Sequence, residues 1–198
     1  MAAYEIIPSR TALFLLDLQV VRTQKNPSLE ALMTHTSSII QKLRSKGITI
    51  AHCRVAFTPS EMESIPDTNA TFSQAKKDSS HAALFNMDSP MSAFHTAVTP
   101  DDVDIVVRKN RVGPFLNAPQ DVHGIFKERG IDTLILGGIS TGGAVLSTVV
   151  QAADLDYRLF VLEDACKDCS EETHGFLMDF FAKRATVINS EQLETFIK

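Results

Sequence analysis

No apolar run in this 198-residue chain approaches the ~20 residues needed to span a bilayer. The opening Met1-Ala-Ala-Tyr-Glu-Ile-Ile-Pro8 lacks the basic and apolar regions of a secretory signal. Cysteine is scarce. Cys53, Cys166 and Cys169 make no disulfide framework, so a cytoplasmic, reducing setting is expected. Positive charge is in deficit: 19 Lys and Arg against 24 Asp and Glu leave a net charge of −5, with no basic run. That excludes bulk nucleic-acid binding, though a few converging cations still suffice for a small anionic substrate. There is no internal repeat and no low-complexity tract. The histidines are dispersed, with no H-x-H or H-x-x-x-H pair. Cys166-Lys-Asp-Cys169 is formally C-x-x-C but has no second pair, and reads as loop chemistry rather than a zinc site. The glycines of residues 137–143 do not fit G-x-G-x-x-G, and no Walker pattern occurs.

What is present is an alternation of strands and helices. Hydrophobic residues make up 44% and charged residues 22%, enough apolar material for one globular domain. Strands are expected at Thr11–Asp17, Ile48–Val55, Asp104–Arg108, Asp132–Gly137, Tyr157–Leu162 and Thr186–Asn189. Helices are expected at Ser28–Lys46, Ala118–Arg129, Gly143–Leu155 and Glu171–Ala182, with Ser190 capping a short last one. The pattern implies α/β architecture, with a six-stranded parallel sheet between two layers of helices in Rossmann-like order. Residues 57–100 break it. Rich in Ser, Thr, Asp, Asn and Pro, they read as a lid, a binding or interface insert, or a plain surface excursion.

In such sheets ligands sit beyond the carboxyl ends of the strands. Asp17 and Gln19 end the first strand, Arg54 and Phe57 the second, Arg108, Lys109 and Arg111 the third, and Glu163 and Asp164 the fifth. The fourth runs into Gly137–Gly143, where a helix begins and free backbone N–H groups attract negative charge. Asp17 and Lys109 both follow apolar strands and are expected to meet, either as a catalytic pair or as a structural ion pair.

Three blocks carry a family resemblance: Ala12-Leu-Phe-Leu-Leu-Asp-Leu-Gln19, Val106-Val-Arg-Lys-Asn-Arg-Val-Gly-Pro-Phe115, and Leu136-Gly-Gly-Ile-Ser-Thr-Gly-Gly-Ala-Val-Leu-Ser-Thr-Val149 with Ala152-Ala-Asp-Leu-Asp156 behind it. In this order, each at an expected strand end, they resemble the isochorismatase-like (cysteine hydrolase) superfamily from about Ser9 to Asn189. The resemblance implies a homodimer or higher oligomer and an Asp–Lys–Cys set in the amidase members. Asp17 and Lys109 match the first two; the Cys position falls on Ala144. It also implies a cis peptide bond at Ile139–Ser140 that turns backbone N–H groups toward substrate. The metal-binding pattern of the nicotinamidases is missing from Ala51-His-Cys-Arg-Val-Ala-Phe57, so neither a metal nor another cofactor is expected.

Ala144 cannot attack a carbonyl, which excludes amide hydrolysis through a thioester. Thr141 and Ser147 have no evident base partner beyond Asp17. Three explanations fit: chemistry without a covalent nucleophile, a silent binding paralogue, or a Cys-to-Ala trap form of an amidase. Under the first, the resemblance to true isochorismatases implies cleavage of a small anionic vinyl ether, such as isochorismate, to pyruvate and a dihydroxy-dihydrobenzoate. Asp17 is then the general acid, and Lys109 binds a substrate carboxylate and tunes it. Substrate contacts are expected from Gln19, Arg54, Phe57 and Arg111, and from Ile139, Ser140, Thr141 and Gly143 of the turn.

Overall fold

The computed structural model describes residues 5–198; Met1–Tyr4, the start of the segment read above for a secretory signal, lie outside the described residues. Thr11–Leu16 (β1) is apolar at nearly every position and buried at all six, as a strand covered on both faces must be. Its residues alternate between two apolar layers. Phe14 and Leu16 face one, with Phe126, Val149 and Phe181. Leu13 and Leu15 face the other, with Met33, Ile40 and Phe160.

β1 pairs in parallel with Thr49–Val55 (β2) on one side and Thr133–Ile139 (β4) on the other. Ile105–Lys109 (β3), Arg158–Lys167 (β5) and Thr186–Ile188 (β6) complete a six-stranded sheet of order β3-β2-β1-β4-β5-β6. This is the expected α/β fold. The order reverses between β1 and β4, and at such a switch point the connecting loops diverge and leave a crevice above the strand ends.

Helix ends shift from the sequence reading for local reasons. Val20–Lys25 (α1) was not anticipated; it leads into a tight turn at Pro27–Leu29, which Asn26 caps. Glu30–Ser45 (α2) then buries Met33, Thr36, Ile39, Ile40 and Leu43 along one face. Val122–Glu128 (α6) starts four residues later than expected because Asp121 caps it, accepting from the Gly124 N–H at 2.9 Å. The helix expected from Gly143 is two elements: a wide π-type turn at Thr141–Val145, then Leu146–Asp154 (α7). β5 runs past Leu162 to Lys167. Its register against β4 jumps between Leu136 and Gly138, so Glu163 and Asp164 sit in a bulge and do not end the strand. Ser190 does not cap a terminal helix. Its N–H and Oγ both donate to Asp164, while Glu171–Phe181 (α8) matches expectation to within a residue.

Residues 57–100 hold three short helices, Pro59–Glu63 (α3), Ser73–Lys77 (α4) and Ser79–Leu84 (α5). Phe57, Met62, Ile65, Phe72 and Phe85 give the segment an apolar cluster of its own. Among the described residues no helix is long and apolar enough to cross a membrane.

Gly138 fixes how closely β1 and β4 approach beneath the crevice. Its φ is +146°, and a Cβ there would lie 2.2 Å from the Leu16 carbonyl oxygen. Gly138→Ala is therefore expected to destabilise the protein by about 3 kcal/mol or more, read as a lower urea midpoint; an unchanged midpoint contradicts this packing.

Candidate active site

β1 ends at Asp17, whose φ of +55° turns the chain out of the ladder in the left-handed region that Asp tolerates better than most residues. Its N–H still donates to the Cys53 carbonyl at 2.9 Å, so the turn is anchored to β2. The side chain is buried. Lys109 Nζ, from the end of β3, reaches across β2 to Asp17 Oδ2 at 3.0 Å, and it also donates to the Val112 carbonyl at 2.6 Å. Arg22 of α1 approaches the same oxygen at 3.6 Å, too far for a hydrogen bond. Asp17 Oδ1 is buried without a hydrogen-bond partner among the described residues.

Asp17 lines a cavity of about 330 Å³. Opposite walls come from the turn after β4, through Ile139, Ser140, Gly143 and Ala144, and from the insert, through Phe72, His81 and Phe85. Arg22 and Arg111 supply positive charge. The Ile139–Ser140 peptide bond is cis. The turn is pinned from outside: Gly142 N–H donates to Asp168 Oδ2 at 2.6 Å, and Thr141 Oγ1 pairs with His174 Nδ1 at 2.9 Å.

Asp17, Arg111, Ile139, Ser140, Gly143 and Ala144 thus converge on one cavity, while the other expected residues do not line it. Lys109 is 1% exposed and stands behind Asp17, so its ammonium serves the carboxylate and a backbone carbonyl and does not grip a ligand in this arrangement. Gln19 spends its amide on both the N–H and the carbonyl of Val55 and on the Ser92 carbonyl, sewing the end of β1 to β2 and to the insert. Arg54 donates to the Ser92 and Met87 carbonyls. Phe57 packs inside the insert's apolar cluster, edge-on to Phe72. Thr141 is fully buried and turned toward His174.

Sequence reasoning missed Arg22, Phe72, His81 and Phe85. Arg22 carries a signal in retrospect: it lies five residues after Asp17, on a helix that must start beside the carboxylate. The insert residues carry none, because their segment has no clear periodicity.

None of the three cysteines is a ready nucleophile. Burial pushes the Cys53 thiol up to about 12 despite nearby Lys109, and burial does the same at Cys166. The exposed Cys169 thiol donates to Asp168, whose carboxylate also pushes it up. Nucleophilic sulfur is thiolate, so all three are poorly suited to attack. Among the described residues no three His, Cys, Asp or Glu side chains gather as metal ligands do.

Two outcomes follow. Lys109→Met leaves a buried carboxylate without its ammonium and is expected to cost about 3–5 kcal/mol of stability. Adding Asp17→Asn then recovers part of that loss, giving a coupling of at least about 1 kcal/mol in a double-mutant cycle; strict additivity contradicts the pairing. The insert is held differently. The Arg108 guanidinium hydrogen-bonds Glu61 of α3 and holds its carboxyl below the usual 4.5, against the opposing effect of burial. Because the folded value is the lower one, this contribution is complete above pH 4.5 and is lost as pH falls through that lower value. Glu61→Gln is expected to speed amide exchange across residues 59–84 and to leave the central strands unchanged. Equal exchange in both proteins contradicts it.

The isochorismatase domain family matches residues 11–192. The isochorismatase family protein YecD of Escherichia coli O157:H7 is 26% identical over 189 residues, covering 94% of this chain and 95% of that protein. Ureidoacrylate amidohydrolase RutB of Klebsiella pneumoniae is 36% identical over 94 residues, only 48% of this chain and 36% of that protein. Among solved structures, an isochorismatase family protein from Desulfovibrio vulgaris superposes with a TM-score of 0.82 at 19% identity, covering 94% of this chain and 97% of that one. At that identity the likeness is one of fold.

Proposed function

The chain belongs to the isochorismatase family of hydrolases, and on that premise we propose that it cleaves a small anionic vinyl ether, isochorismate being the reference substrate, by general acid catalysis without a covalent intermediate. The observation that carries this reading is the pairing of Asp17 with Ala144 on the wall of one cavity. The site has a carboxyl group to move a proton and a methyl group where a nucleophile would be needed. Amide hydrolysis through a thioester is closed to it.

The chemistry assigns each group a task. Asp17 is paired with Lys109 through Oδ2, so in this reaction its carboxylate first takes up a proton and then gives it to the substrate. Delivery to the vinyl methylene carbon leaves an oxocarbenium ion on the neighbouring carbon. Water adds there, its proton returns to the Asp17 carboxylate, and the hemiketal collapses to pyruvate and the ring alcohol. Lys109 is a positioning residue that keeps the carboxyl group fixed behind the substrate. Arg22 and Arg111 offset the substrate's negative charge, and Phe72 and Phe85 give its carbon skeleton an apolar wall. Residues 57–100 act as the cover that keeps bulk water from the oxocarbenium ion. A reducing cytoplasm suits Cys53, Cys166 and Cys169, which are all unpaired thiols.

Pyruvate release from isochorismate tests this. The wild type is expected to turn over, and Asp17→Asn to lose at least about 100-fold in kcat, the usual contribution of a positioned acid. A wild type that releases no pyruvate, or an Asp17→Asn variant as fast as the wild type, overturns the assignment.

A further inference from the structure

We propose that a hollow behind the turn after β4, distinct from the cavity that holds Asp17, is a binding site for a phosphate group. The hollow has a volume of about 270 Å³ and adjoins the main cavity, with Arg22, Ile139 and Ser140 common to both walls. The site is independent of the reaction assigned to Asp17.

The chain collects positive charge there from two directions. Arg22 and Lys25 stand three residues apart on α1 and so share one side of it. Lys167 ends β5, in register with Ile139 of β4. All three line the hollow, and one carboxylate, Asp168, lines it with them. That carboxylate is spent: Oδ2 accepts from the Gly142 N–H at 2.6 Å, and Oδ1 from the Cys169 N–H at 2.8 Å. A chain with a net charge of −5 thus sets three cations against one committed anion.

The hydrogen-bonding groups are as lopsided as the charges. Among the described residues, the Lys25 ammonium and the Ser140 hydroxyl make no hydrogen bond or ion pair. Lys167 pairs only with Glu171, an exposed contact worth little in water. Arg22 comes no nearer to Asp17 than 3.6 Å; its Nε is enclosed, and its two terminal nitrogens are open. Asn26 commits Oδ1 to the N–H and hydroxyl of Ser28, which leaves its amide donors. The side chains therefore offer many donors and, Ser140 Oγ aside, no uncommitted oxygen.

A phosphate group is the complement of such a wall, being doubly charged and rich in acceptor oxygens. Its shape fits as well. The donors arrive from α1, from the end of β5 and from the turn after β4, and a tetrahedral oxyanion presents oxygens in several directions where a flat carboxylate does not. The main cavity differs: Phe72 and Phe85 form part of its wall, whereas no aromatic ring lines the hollow.

Titration calorimetry with inorganic phosphate, with chloride as the only other anion, tests the site without turnover. The wild type is expected to bind. Lys25→Gln and Lys167→Gln are each expected to weaken binding about threefold, and together about tenfold, the scale of partly exposed charge contacts. Two controls are expected to leave Kd unchanged. Arg111→Gln removes a cation from the main cavity alone, and Lys183→Gln removes one near the starts of β5 and β6, at the opposite end of the sheet. In NMR spectra, phosphate is expected to shift the amides of residues 139–143 and 167–169 and not those of 81–85. No binding by the wild type overturns the site. So does an equal loss in Lys183→Gln, which means diffuse attraction, or a loss in Arg111→Gln with shifts at 81–85, which places the anion beside Asp17. Glycerol 3-phosphate separates the sources: binding at least as tight as that of inorganic phosphate supports the site as one for a phosphate monoester, and weaker binding supports it as one for the free ion.

Discussion

The site depends on one buried ion pair. Lys109 at the end of β3 reaches over β2 to Asp17 at the end of β1, and both side chains are almost wholly removed from water. A carboxylate in that position is tolerable only with a fixed positive partner. Lys109 is held in turn by the Val112 carbonyl, so the pair is set by backbone on both sides. The sheet brings the two residues together: parallel pairing of β1, β2 and β3 in register aligns their carboxyl ends, and the topological switch beside β1 opens the crevice into which Asp17 faces.

Around that pair, the cavity is more notable for what it excludes. Ala144 brings only a methyl group to the cavity wall, and the three thiols elsewhere are buried or set beside a carboxylate that favours their protonated form. The turn bearing Ala144 is nonetheless tightly braced by Asp168 and His174. Bracing of this kind preserves the shape of a cavity wall whether or not the wall carries a nucleophile.

Much of the fold was legible in the sequence, for identifiable reasons. β1 is apolar on both faces and β4 runs into paired glycines, so their existence and parallel setting followed from composition and order. The meeting of Asp17 with Lys109 followed from strand ends. What escaped was set by tertiary context. The bulge in β5 displaces Glu163 and Asp164 without any Gly or Pro to mark it. Gln19 and Arg54 looked like ligand contacts because they sit at strand ends, yet Gln19 serves the backbone of β2 and the insert, and Arg54 that of the insert. Phe72, His81 and Phe85 reach the cavity only because three short helices fold back over it, and short irregular helices leave little periodicity to read.

The most direct test of chemistry by proton transfer alone is the fate of oxygen. Isochorismate is converted in water enriched in oxygen-18, and the ring alcohol is weighed by mass spectrometry. Protonation at the vinyl carbon followed by water addition breaks the bond on the pyruvate side, so the ring alcohol is predicted to keep its original oxygen and gain no label. Label in the ring alcohol, which requires attack at the ring carbon, contradicts the account.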